Sequence, residues 1–317
     1  MNTNTDGLEN LLTPEELNML AGLNTEGRNP LTLDLDGLDT LELLKVINDE
    51  DQQVAAAVRR ALPEIGAAVD RVAAARREGG RLIYLGAGTS GRIGLLDAVE
   101  CPPTFGTEPE EVLGLIAGGD SAFVRAVEGA EDDPHLAIEE LNAVEIGAKD
   151  VIVGLAASGR TPYVIGGLRH ARAKGATTIA VSCNPGALIS AEADIAIEVI
   201  TGPEVLMGST RLKAGTAQKL VCNMISTASM VRTGKAYSNL MVNLRPTNAK
   251  LVDRAQRIVA TATGVERSIA DSTLAEANNH AKTAIVMLLA NASAEQAVEL
   301  LDQSQGDVRH AVTLASP

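Results

Sequence analysis

Aromatic residues, cysteines and histidines are all scarce in this 317-residue chain. It has no Trp, two Phe and three Tyr, so a sugar ligand would have to be held mainly by polar groups rather than by stacked rings. The three cysteines, Cys101, Cys183 and Cys222, lie far apart and form no C-x-x-C pair, which gives no sign of a disulfide framework or a zinc site. The four histidines add no metal-ligand pattern. We therefore expect neither a metal nor another cofactor.

Excess positive charge and long apolar runs are missing as well. The 27 Lys and Arg residues are outnumbered by 41 Asp and Glu, for a net charge of −14, which opposes binding to nucleic acid or to an anionic membrane. No apolar run approaches the ~18–20 residues that span a bilayer. The polar start MNTNTDGLENLLTPEEL lacks the basic and apolar regions of a secretory signal, which predicts a cytoplasmic protein. An anionic ligand would need a locally prepared site.

Five short, apolar, β-branched runs occur in the central part of the chain, and helical patterns separate most of them. This alternation predicts an α/β fold with a doubly wound, five-stranded parallel sheet and flanking helices. The runs are LIYL (82–85), VLGLIA (112–117), VIVGLAA (151–157), TIAVSC (178–183) and IAIEVI (195–200).

The rest of the chain divides by composition into three regions. Residues 1–50 are acidic and loop-rich and are interpreted as an N-terminal arm, residues 51–265 as the α/β domain, and residues 266–317 as a small C-terminal module of three helices. Further helices are predicted at 49–80, at 209–234 and at about 247–263.

A glycine-rich loop follows the first predicted strand. Gly86, Gly88 and Gly91 spell G-x-G-x-x-G between a strand and a helix, which is the position of a dinucleotide-binding fingerprint. That interpretation also requires an acidic residue at the end of the next strand, and Asp120, which comes only after two glycines, matches poorly. The glycines would alternatively serve only to permit a tight turn.

A second strand-to-helix loop has a similar composition, with hydroxyl residues placed just before Pro162. The start of a helix offers free N–H groups and the positive end of a dipole, so two such loops with hydroxyl donors can hold a phosphate without many lysines. Alternatively, the hydroxyls only cap the helices. The predicted phosphate-binding residues of the two loops are Gly88, Thr89, Ser90, Ser158, Gly159, Arg160 and Thr161.

Several long segments resemble the N-acetylmuramic acid 6-phosphate etherase family, and together they extend over nearly the whole chain. The resemblance implies a sugar isomerase (SIS) domain, which is a doubly wound phosphosugar-binding fold and agrees with the strand pattern. The matching segments are TEGRN (25–29), GAGTSGRIGLLDAVECPPTFG (86–106), EGAEDD (128–133), AASGRTPYVIG (156–166), TGPEVLMGSTRLKAGTAQKLVCNMIST (201–227) and YSNLMVNLRPTNAKL (237–251).

The resemblance implies a lyase of cell-wall amino sugar recycling. It would cleave the lactyl ether of N-acetylmuramic acid 6-phosphate by elimination and water addition, without a cofactor, in a homodimer whose site lies near the subunit interface. The glutamate of ECPPT, here Glu100, would be the proton donor, and Glu131 would be the base or a helper in ring opening. Further substrate-binding residues are expected at Glu204, Ser209, Thr210 and Lys213.

Other functions are compatible with parts of this pattern. Glu131 stands in a cluster of acidic residues that would by itself indicate a solvated turn. A non-catalytic phosphosugar-binding regulator of the same fold would explain both hydroxyl loops but would leave Glu100 and Glu131 without a task. An aldose–ketose isomerase would also remove a C2 proton but would release no lactate, and an NAD-dependent enzyme would require the dinucleotide interpretation of the glycine loop.

Overall fold

The central sheet has five parallel strands in the order β2-β1-β3-β4-β5, which confirms the predicted doubly wound fold. The computed structural model describes residues 22–244 and 249–315. Each strand coincides with one of the five apolar runs, because such runs can be buried on both sides of a parallel sheet. The strands are β1 (Leu82–Gly86), β2 (Val112–Ile116), β3 (Val151–Leu155), β4 (Thr177–Ser182) and β5 (Ile195–Glu198).

Helices cover both faces of the sheet. One apolar cluster joins the strands to α1, α2, α3 and α8, and a second joins the opposite face to α5 and α6. Among the described residues, no single helix is long and apolar enough to cross a membrane, and only α11 with α12, bent by 101°, meets that test as a pair. The helices are α1 (Thr40–Arg60), α2 (Leu62–Arg77), α3 (Gly88–Phe105), α4 (Ser121–Val124), α5 (Pro134–Ala143), α6 (Pro162–Ala173), α7 (Leu188–Ala191), α8 (Lys213–Arg232), α9 (Ala249–Thr263), α10 (Arg267–Glu276), α11 (Ala281–Ala290), α12 (Ala294–Gln303) and α13 (Val308–Ala315).

The strand order reverses at β1, which has β2 on one side and β3 on the other. Gly86, the last residue of β1, is in register with Leu155, the last residue of β3. The connections that leave these two strands therefore diverge to opposite faces and open a crevice at their carboxyl ends. In open α/β sheets this switch point is where ligands bind.

Two predicted helices have different limits in the structure. The helical region predicted at 49–80 is two helices, because Pro63 near the start of α2 cannot donate the hydrogen bond that would continue α1. Helix α1 also begins at Thr40, within the predicted arm, whose residues 1–21 lie outside the described residues. The helix predicted from Ser209 begins only at Lys213, after a turn, and Gly234 follows its end with a φ of 72°.

The sequence predicted that helix α3 ends before Pro102. In the structure the helix continues to Phe105. Both prolines of the pair stand in its last turn, so the helical hydrogen bonds lost with their N–H groups fall at the end of the helix rather than in its middle. Gly106, in the left-handed conformation with a φ of 62°, then closes the helix by donating its N–H to the Pro102 carbonyl. Glu100 consequently lies inside α3 rather than at its last residue.

The C-terminal helices have their own apolar core, which extends from Val242 to Ala311 and includes α9. Four helices, rather than the predicted three, lie between residues 267 and 315. The extra break falls at Asn278 and Asn279, whose φ values of 52° and 63° interrupt a helix. Residues 247–248 of the helix predicted at about 247–263, and residues 316–317 of the predicted module, lie outside the described residues. The boundary at 265 stays a prediction.

Gly91→Ala is expected to destabilise the fold by about 1–3 kcal/mol through overpacking. A Cβ at Gly91 would stand 2.6 Å from the Gly86 carbonyl oxygen, so α3 would have to move away from β1. Gly66→Ala, in α2, is the matched control, since nothing lies within 4 Å of its added Cβ, and it should stabilise by up to about 1 kcal/mol. Urea unfolding measures both, and equal effects would contradict the close approach of α3 and β1.

Candidate active site

The first loop of the crevice presents unpaired backbone donors. Its α3 begins directly after β1, and the first backbone hydrogen bond of the helix runs from Gly91 N–H to the Ala87 carbonyl at 3.1 Å. The N–H groups of Gly88, Thr89 and Ser90 precede that bond, and among the described residues no side chain caps this helix. These donors and the positive helix end are suited to an anion.

The second loop lies beside the first, at the end of β3. Gly159 has a φ of 74°, and an added Cβ there would stand 2.3 Å from the Cβ of Ala187, so the loop requires glycine at this position. The Ser158 hydroxyl oxygen accepts a hydrogen bond from Arg160 N–H at 3.3 Å, which fixes the loop and leaves the hydroxyl hydrogen for a ligand. Thr161 then precedes Pro162, the first residue of α6.

The start of α8 packs against the first loop. Ser90 Oγ donates to Gln218 Oε1 at 2.9 Å, in a buried contact. The Thr89 methyl group and the Thr210 carbonyl oxygen both lie within 3.6 Å of the point that a Cβ on Gly215 would occupy. The structure thus brings Thr210 together with Thr89 and Ser90, and Ser209 stands next to them in the turn before α8. Sequence reasoning missed Gln218, whose pairing with Ser90 no local pattern indicates.

Glu204 and Lys213 are bound to protein groups beneath these loops. The Glu204 carboxylate is fully buried and accepts hydrogen bonds from the N–H groups of Lys213, at 2.9 Å, and Ala214, at 3.0 Å, so it caps α8. Burial raises the pKa of Glu204. Lys213 Nζ lies 2.5 Å from Glu50 Oε2, and its side chain is 2% exposed. The geometry gives both residues a supporting place, although the sequence predicted that they contact substrate.

An N-terminal segment covers the second loop. Asn184 donates from Nδ2 to the Ala157 carbonyl at 3.1 Å and to Thr25 Oγ1 at 3.0 Å, and both residues are fully buried. The Asn29 amide donates to Glu50 Oε2 at 2.8 Å, which links the same segment to the buried ion pair. Thr25 and Asn29 belong to the family motif TEGRN, whereas no sequence motif included Asn184.

Glu131 lies near the first loop, whereas Glu100 does not. Glu131 is exposed on a 3-10 helix, Ala130–Asp132, and shares with Gly88 the lining of a cavity of about 280 Å³. Arg92 anchors one side of this cavity by donating to the carbonyls of Ala122 and Phe123, both at 2.8 Å. Glu100 is also exposed, but it follows Gly88 by twelve residues of helix, or about 18 Å along the axis.

The chemistry available to this crevice follows from its groups. Backbone N–H donors and hydroxyls can hold a phosphate, and a carboxylate beside them can move a proton. Among residues 22–244 and 249–315, no three His, Cys, Asp or Glu side chains are close enough to hold a metal ion.

Comparisons with known proteins identify the family of the chain. The SIS domain model matches residues 133–228, and the model of the glucokinase regulatory protein N-terminal SIS domain matches residues 64–172. N-acetylmuramic acid 6-phosphate etherase of Mycolicibacterium smegmatis is 63% identical over 92% of this chain and 98% of its own. The chain belongs to the N-acetylmuramic acid 6-phosphate etherase family. This confirms the family resemblance of the sequence motifs.

The chain is also similar to a second etherase and to a solved isomerase structure. N-acetylmuramic acid 6-phosphate etherase of Aeromonas hydrophila is 57% identical over 90% of this chain and 96% of its own. Among solved structures, a phosphoheptose isomerase from Neisseria gonorrhoeae aligns over 60% of this chain and 98% of its own, with 17% identity and a TM-score of 0.48. These identities show the family of the chain but assign no role to any single residue of the crevice.

Glu50→Ala is expected to destabilise the chain by about 3–5 kcal/mol, because it leaves the Lys213 ammonium buried without a counter-charge. Glu139→Ala, on the exposed side of α5, is the control and should change stability by less than about 0.5 kcal/mol. The pair Glu50→Leu with Lys213→Met should recover most of the loss. Urea denaturation tests this, and a Glu50→Ala cost no larger than that of the control would contradict it.

Proposed function

We propose that this chain converts N-acetylmuramic acid 6-phosphate and water to N-acetylglucosamine 6-phosphate and D-lactate. One observation carries the proposal: in a chain of the etherase family, Gly88 at the N-terminal end of α3 and Glu131 line one cavity. A phosphosugar held by Gly88, Thr89 and Ser90 would therefore have its sugar carbons beside a base. The second loop, Ser158–Thr161, supplies further donors from across the crevice.

The chemistry needs a proton removed at C2 and a proton delivered to the ether oxygen. In the ring-opened sugar the C2 proton lies α to the C1 aldehyde, so a carboxylate can remove it, and the C3–O bond then breaks with the electron pair leaving on the lactate oxygen. Water next adds at C3 of the unsaturated aldehyde. Two carboxylates, Glu128 and Glu131, line the cavity with Gly88. We assign the C2 proton to Glu131, because it is the one that matches the second functional glutamate of the family motif EGAEDD.

We assign the proton donor to Glu100 of the partner subunit in a homodimer. Five covalent bonds of roughly 1.5 Å separate C3 of the sugar from the phosphorus atom. They cannot span the roughly 18 Å of helix between Gly88 and Glu100 of one chain. A second copy that brings its own Glu100 over the crevice removes this difficulty.

The surface around Glu100 supports such pairing. Leu96 and Val99 lie on the same exposed stretch of α3 and are 48% and 55% exposed, and Val231 of the neighbouring α8 is 48% exposed. A two-fold axis near this surface would place identical helices against each other and present each Glu100 to the other subunit. Exposed apolar side chains next to a functional carboxylate indicate a site that is completed at a subunit interface.

The lactate-release assay tests the function directly. Purified chain with N-acetylmuramic acid 6-phosphate is expected to release D-lactate, and Glu131→Gln and Glu100→Gln should each lower kcat by about 10²–10⁴ while phosphosugar binding persists. Glu139→Gln, remote on α5, is the control and should keep full turnover. Saturable binding without lactate would contradict the proposal and would favour a regulator of the same fold, whereas a ketose product would favour an isomerase.

Mixing the two inactive variants tests the shared site. In a mixed dimer of Glu100→Gln and Glu131→Gln subunits, one site would combine the intact Glu131 of one chain with the intact Glu100 of the other. Random exchange at equal amounts should therefore restore about a quarter of the wild-type activity. If both carboxylates acted within one chain, no site would be intact, and the mixture would stay inactive. Light scattering should show dimers throughout.

A further inference from the structure

A basic cavity lies where the α/β domain meets the C-terminal helices. Its volume is about 520 Å³. Arg76 and Arg77 enter it from the end of α2, and Arg232 from the end of α8. Lys235 lines it as well, and from the C-terminal side come Asp307 and His310. With Glu111 the lining holds four Arg or Lys side chains against two carboxylates, in a chain whose net charge is −14.

Arg76 is the unusual group of this cavity. Its side chain is only 5% exposed, and it forms one ion pair, from Nη2 to Glu111 Oε2 at 2.6 Å. Its Nε and Nη1 atoms are buried and have no hydrogen-bond partner among the described residues. A buried guanidinium with two unmet donors is costly unless a further acceptor completes it.

The contacts of the other cations give the unpaired donors of Arg76 no acceptor. Arg77 donates from Nη2 to the Arg232 carbonyl at 2.8 Å, which joins the ends of α2 and α8, and cations at these ends also offset the negative helix dipoles. The Arg232 side chain is exposed and lines the cavity. Lys282, just behind, donates to the Gly234 carbonyl at 2.7 Å, and burial lowers its pKa to about 8.

We propose that this cavity is a second anion-binding site, which takes a small phosphorylated molecule between the α/β domain and the C-terminal helices. Guanidinium forks match the oxygens of a phosphoryl group, and a dianion balances the local excess of positive charge. The site is separate from the crevice of the same chain: Gln218, which contacts Ser90, and Arg232 lie fourteen residues apart on α8, or about 21 Å. It does not rest on the proposed etherase activity.

Calorimetric titration of the full chain with inorganic pyrophosphate tests the proposal. The background is Ser90→Ala with Ser158→Ala, which weakens binding in the crevice. This variant is expected to bind about one pyrophosphate per chain, and adding Arg232→Gln should weaken that binding by about 10-fold or more. Lys219→Gln, an exposed cation of α8 outside the cavity, is the control and should leave the affinity unchanged.

Three results would overturn this second site. The first is that the background variant binds no pyrophosphate, and the second is that Arg232→Gln binds it as tightly as the control does. The third is that malonate binds as tightly as pyrophosphate, which would remove the phosphoryl assignment. Arg76→Gln provides a second variant that removes the unpaired donors themselves. Thermal melting checks that each variant is folded, and Arg232→Gln, at an exposed position, should melt with the control in the absence of ligand.

Discussion

The side-by-side ends of β1 and β3 are the constraint on which the rest of the structure depends. Because both strands are parallel and their connections leave toward opposite faces, two helix starts, at Gly88 and at Pro162, meet over one crevice. Backbone N–H groups and hydroxyls there supply the positive potential that a phosphate needs. This explains how a chain with a net charge of −14 can prepare a site for an anion without a cluster of lysines.

The charged groups near this crevice stabilise its framework. The buried pair of Glu50 and Lys213 joins α1 to the first residue of α8, and Glu204 satisfies the N–H groups at that same helix start. With the α8 terminus fixed, Gln218 is held against Ser90. The first loop is therefore preorganised by contacts that lie outside it, which limits the rearrangement required when a ligand binds.

Much of the fold could be predicted from the sequence, since the five β-branched runs each became a strand and the loops after two of them carried the hydroxyls. Helix limits were less predictable, because α3 tolerates Pro102 and Pro103 in its last turn. The buried partner of Lys213, Glu50, is 163 residues away, and no local pattern encodes such a pairing. Family resemblance pointed to Glu100 and Glu131, but only the structure shows that Glu131 lines the cavity beside Gly88, whereas Glu100 lies about 18 Å from Gly88 along α3.

We propose that a complete site combines the crevice of one subunit with Glu100 of the partner subunit. The most direct measurement is a crystal structure of the Glu100→Gln variant with N-acetylmuramic acid 6-phosphate bound. We expect phosphate oxygens on the N–H groups of Gly88 to Ser90, and the partner's side chain at position 100 within about 3 Å of the ether oxygen, as hydrogen bonding requires. A bound sugar with the side chains at position 100 of both subunits remote from its C3 would contradict it.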